Sequence, residues 1–83
     1  MPVARDELLA GLAAHVGVPP LSGPEIDAVL ELAAAAAHGT GDRTSAPVAS
    51  FLAGIAAVQA GDRRAALETA LRTVVELAPE GAG

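Results

Sequence analysis

The stretch "AHGTGDRTSAP", Ala37–Pro47, decides how this 83-residue chain is read. It gathers a histidine, an arginine, two glycines, an aspartate, hydroxyls and a proline inside a sequence otherwise dominated by alanine and leucine. Turn-forming residues in a cluster, flanked by apolar residues that recur every three or four positions, mark a break between two helices. No alternating pattern competes on either side, so a strand pair is excluded.

Outward towards the N-terminus, Ser22 and Glu25 stand three apart as a capping box, and Pro24 suits an early helical position. They open a helix expected over 24–37, with Ile26, Val29, Leu30, Ala33 and Ala37 as its apolar stripe and Gly39 as its stop. Further back, "VPPLSGP" cannot be helical, because proline lacks a donor and restricts its predecessor. Before it, Leu8, Leu9, Leu12, Ala13 and Val16 predict a helix over 5–16 that ends at Gly17. Outward towards the C-terminus, Ser45 is read as the cap of a helix over 46–60. Its expected inner face is Val48, Phe51, Leu52, Ile55 and Val58. Gly61 ends that helix and Asp62 caps the next at once, which predicts a tight hairpin with a helix over 62–78. There Leu67, Ala70, Leu71, Val74 and Leu77 form one side, and Arg64, Glu68, Arg72 and Glu76 alternate in sign along the other. Pro79 and the glycine-rich end stop the chain. The expected fold is all-α, one compact four-helix domain over 1–83, since short helices must pack to persist.

Composition narrows function by exclusion. The net charge is −5, with five arginines and no lysine, so a row of phosphates finds no counter-surface and nucleic acid is not an expected partner. Anionic membrane is disfavoured for the same reason, and the alanine run is far short of the ~20 residues that span a bilayer. The N-terminal stretch carries Arg5, Asp6 and Glu7 without an apolar run, unlike a signal peptide. A cytoplasmic protein is expected. There is no cysteine, and neither His15 nor His38 has a second ligand at helical spacing that would complete a site, so no metal and no cofactor are expected. Alanine buries little area, which makes homo-oligomerisation a plausible route to extra stability.

The candidate residues for binding are His38, Arg43, Ser45, Pro47 and Phe51. His38, Asp42 and Ser45 lie close in sequence, but one loop between short helices supplies neither a base held by an orienting group nor an oxyanion hole. "GTGD" follows a helix rather than a strand and lacks the lysine of a phosphate loop. Arg43 has two readings. It can bond the carbonyls that end the second helix, or hold an anion with the N-terminus of the third. His38 in the last turn favours the helix dipole in its charged form.

The run Val29–Ala57 resembles a small actinobacterial helical domain family of uncharacterised function. The resemblance is carried by Ala37, His38, Arg43, Ala46, Pro47, Phe51, Leu52 and Gly54: an aliphatic helix ending in Ala-His, a loop with an arginine, Ala-Pro, then Phe-Leu-x-Gly. Members of that family occur alone or joined to the C-terminal side of a molybdenum-cofactor guanylyltransferase. The resemblance therefore implies an accessory or interaction module in molybdopterin guanine dinucleotide biosynthesis, with that guanylyltransferase as partner, and no catalysis. Gly54 would then let a neighbouring helix approach closely. Ala57–Gly81 is also similar to a single tetratricopeptide helix pair, which implies a structural homo-oligomer, although stable arrays need about three repeats. The rival to a protein partner is an anion or phosphate held at the loop between the second and third helices.

Overall fold

The computed structural model describes residues 2–79. Four helices follow in chain order: α1 (Arg5–Val16), α2 (Gly23–Thr40), α3 (Ser45–Ala60) and α4 (Arg63–Leu77), with no strand among the described residues. Gly81 and Gly83, expected to close the chain, lie outside them.

Local chemistry sets most boundaries. Gly17 takes a left-handed conformation (φ 73°), and the amides of Gly17 and Val18 donate to the carbonyls of Ala14 and Ala13, which closes α1. Ser22 and Glu25 form the capping box in both directions at the start of α2. Asp62 accepts from the amide of Ala65 (3.1 Å) and starts α4 two residues after α3 ends. That is the tight hairpin.

α2 outruns the expected stop. It passes through Gly39 to Thr40, and the left-handed residue is Gly41, whose amide donates to the Ala37 carbonyl (2.9 Å). Gly39 is required by packing instead. A Cβ there would collide with the Cβ of Ala78 and come within 3.1 Å of its carbonyl oxygen. The α3 start also differs. Ser45 is the first helical residue, and Thr44 precedes it without a side-chain cap bond.

α2, α3 and α4 pack on one another, and α1 packs on none of them. The core is small and alanine-rich: Leu32 is 1% exposed, with Leu67, Ala35, Ala36, Ala53 and Ala57 also buried. Small side chains let helix axes approach closely, towards the lower end of the ~8–10 Å range. The inner face expected of α3 is therefore corrected. Val48, Phe51, Leu52, Ile55 and Val58 all face solvent, from 42% exposed at Ile55 to 83% at Val58. α3 presents Ala49, Ala53 and Ala57 inwards instead. Likewise α2 centres on Leu32 and leaves Leu30 exposed, Leu77 of α4 is exposed, and Leu8, Leu12 and Val16 of α1 lie open. The molecule measures 35 × 35 × 18 Å, so it is only about two helix diameters thick. Among the described residues nothing lies over the outer face of α3.

Candidate interaction surface

The α2–α3 junction is a closed hydrogen-bonded knot. The Thr40 hydroxyl donates to the Ala36 carbonyl (2.8 Å) and shares a bond with the Ser45 hydroxyl (2.8 Å). Asp42 Oδ1 accepts from the hydroxyl (2.7 Å) and amide (2.9 Å) of Thr44. The Thr44 hydroxyl, then its amide, hold the Asp42 carboxyl below its usual range. Asp42 thus orders the loop that a serine cap was expected to order. Ser45 is half-buried and committed to Thr40.

The other expected binding residues lie around this knot without joining it. His38 and Arg43 are exposed, and among the described residues neither side chain makes a hydrogen bond or an ion pair. Of the two readings of Arg43, the bond to the carbonyls ending α2 does not form among the described residues; the Gly41 amide and the Thr40 hydroxyl take those acceptors. Pro47 is exposed in the first turn of α3, and Phe51 is 70% exposed one turn on. Gly54 has open space where a Cβ would stand, so among the described residues no helix uses its close approach. Among the described residues no three His, Asp or Glu side chains gather as metal ligands would, and no helix is long and apolar enough to cross a membrane.

What the structure does assemble is one continuous apolar stripe. Val48, Phe51, Leu52, Ile55 and Val58 recur at i, i+3, i+4, i+7 and i+10, which is one helix face, on the side away from Ala49, Ala53 and Ala57. No residue of α3 is charged. A contiguous exposed apolar patch of this kind is a candidate docking surface. Beside it runs a groove of about 490 Å³ lined by Val18, Leu21, Val29, Gly54 and Val58.

A second cluster escaped sequence reasoning. The Arg63 guanidinium meets Glu25 with two nitrogens, Nε on Oε2 and Nη2 on Oε1 (2.9 Å). Its Nη1 donates to the Pro19 carbonyl (2.7 Å) and Nη2 to the Pro20 carbonyl (3.0 Å). Glu25 Oε1 also accepts from the Ser22 amide (2.8 Å). One side chain therefore ties the α1–α2 linker, the start of α2 and the start of α4. Glu25 is buried, and its carboxyl is lowered to about 2, first by the Arg63 bonds and then by the Ser22 amide, against the cost of burial. Glu25 raises Arg63 in turn. The sequence signal is one-sided: an arginine in the first turn of a helix opposes the dipole and calls for a carboxylate partner, but spacing does not point to Glu25.

The family described as "Domain of unknown function (DUF6457)" matches residues 2–83, and the chain belongs to it. No curated protein and no solved structure matches.

Proposed function

We propose that this DUF6457 member is a non-enzymatic accessory module that binds a protein partner through the outer face of α3. We further propose that it works in the cytoplasm, in molybdenum cofactor biosynthesis, with a molybdenum-cofactor guanylyltransferase as partner. The observation that supports binding is the charge-free α3, whose bulky residues face solvent while alanines face the core. Aromatic and aliphatic anchors at the centre of a patch carry most of the energy of protein interfaces. Phe51, with Leu52 and Ile55 around it, is such an anchor. The cofactor context rests on the resemblance of Ala37–Gly54 alone.

Arg43 favours one second reading. Its side chain has no partner among the described residues and lies two residues from the N-terminus of α3, where Thr44 makes no side-chain cap. An anion such as a nucleotide phosphate is the ligand that this chemistry suits.

An amide NMR titration separates the two. Labelled protein receives the guanylyltransferase, and separately GTP with magnesium. The expected result is shifts at Val48, Phe51, Leu52 and Ile55 with the protein, lost in Phe51→Glu. Shifts at Arg43 and Ser45 with nucleotide alone would replace this reading with the anion site. No response to the guanylyltransferase would overturn the proposed partner.

A further inference from the structure

We propose that in the free protein the outer face of α3 pairs with the same face of a second copy, the two helices antiparallel about a two-fold axis level with residue 53. This rests on the reading of α3 as an interaction face and names the occupant of that face.

Charge selects the helix. Each copy carries −5, so two copies repel through most of their surfaces. α1, α2 and α4 all carry Asp, Glu or Arg, and only α3 is free of charge. It is the helix on which two such molecules meet without setting charge against charge.

The order of residues then selects the orientation. A two-fold interface is isologous, so the pattern along an antiparallel helix must read the same from both ends. Here it does, by level. Val48 stands level with Val58 and Gln59 of the other copy, and the Phe51–Leu52 pair stands level with Ile55. The two-fold axis is perpendicular to the helices, so each lateral edge of the stripe faces the same edge of the partner. At 100° per residue, Phe51, Gly54 and Val58 share one edge. The ring of Phe51 from one copy therefore falls on the open space at Gly54 of the other. The groove lined by Val18, Leu21 and Val29 receives it there.

Area agrees with a real but modest dimer. Five side chains exposed between 42% and 83% offer roughly 500 Å², taking 150–200 Å² for each when fully exposed. Val18 and Leu21, exposed beside the groove, raise the total to roughly 650 Å², below the ~800 Å² per partner of a standard interface, as a weak dimer requires. The alanine face of α3 is untouched by this contact, so association leaves the monomer core as it is.

The test uses the full chain, with refractive-index detection because Trp and Tyr are absent. Sedimentation over a range up to about 1 mM should show a monomer–dimer equilibrium, weakened at least ~30-fold in Phe51→Glu with unchanged circular dichroism. The chain has no cysteine, so single-cysteine variants report geometry cleanly. Val48→Cys chains mixed with Gln59→Cys chains should form a disulfide. Val48→Cys alone should not, because its two copies stand ~15 Å apart along the axis. A strict monomer, or cross-linking of Val48→Cys alone, overturns the proposal. If the monomer still responds to the guanylyltransferase at α3, only the self-pairing fails. A dimer that ignores the guanylyltransferase keeps the pairing and removes the proposed partner.

Discussion

Replacing Arg63 by alanine should cost this domain more than any other single change at its surface. The guanidinium makes four hydrogen bonds, two to the buried Glu25 and two to the carbonyls of Pro19 and Pro20. Glu25 falls from 4.5 to about 2, and each unit of such a shift is worth ~1.36 kcal/mol, or about 3 kcal/mol for the whole shift. Part of the lowering comes from Ser22 and survives the substitution, while burial of the stranded carboxylate adds to the loss. The Arg63 side chain is also 30% exposed, which softens the penalty usual for breaking a buried pair. The expectation is a loss of about 2–3 kcal/mol, or roughly 10–20 °C in Tm for a chain of this size. Urea and thermal unfolding followed by far-UV circular dichroism would measure it. Arg64→Ala is the control one residue away. Its 3.3 Å bond to Glu68 joins two exposed groups, so the loss should be no more than about 0.5 kcal/mol. Arg63→Lys keeps the charge without the fork and should recover only part of the difference. If Arg63→Ala and Arg64→Ala unfold within about 0.5 kcal/mol of each other, the clasp is not what holds these three segments.

Two further outcomes follow from the same geometry. The Glu25 carboxyl is depressed in the folded state, so its contribution is complete above its unfolded value of 4.5 and is lost as pH falls towards about 2. Unfolding free energy should fall across that window, with Asp42 adding in the same direction, and Glu25→Gln should flatten the profile; an unchanged slope in Glu25→Gln would refute the assignment. Gly39→Ala should destabilise the domain, although alanine is better in a helix interior by ~1 kcal/mol, because the added methyl meets Ala78. A rise in Tm would show that α2 and α4 do not approach there.

Much of this fold was legible because caps act locally. Gly17, the Ser22–Glu25 box and Asp62 each stabilise a helix end through atoms a few residues away, and sequence spacing reports such contacts directly. The Arg64–Glu68 pair is legible for the same reason. Arg63 and Glu25 are 38 residues apart, and no local pattern joins them. Gly39 is ambiguous in sequence because a glycine near a helix end has two uses, a left-handed stop or a close approach, and only the position of Ala78 decides. The candidate site divided similarly. Phe51 and Pro47 are exposed, while Ser45 is half-buried with its hydroxyl bonded to Thr40, a contact that spacing alone does not report.

The phase of α3 was not legible for a deeper reason. Amphipathic periodicity locates the inner face of a helix only when a polar face opposes it. α3 has none, so size had to stand in for polarity, and the bulky side was assigned to the core. Yet the small side is what the rest of the structure requires. Leucine and phenylalanine turned inwards would separate the helix axes. The approach of Gly39 to Ala78 would then open, and Arg63 would no longer reach Glu25 and the two proline carbonyls from the start of α4. An alanine interior and a bulky exterior are thus two consequences of one choice. The close packing that lets three short helices hold together is also what turns Val48, Phe51, Leu52, Ile55 and Val58 outwards, where only a second surface can remove them from water.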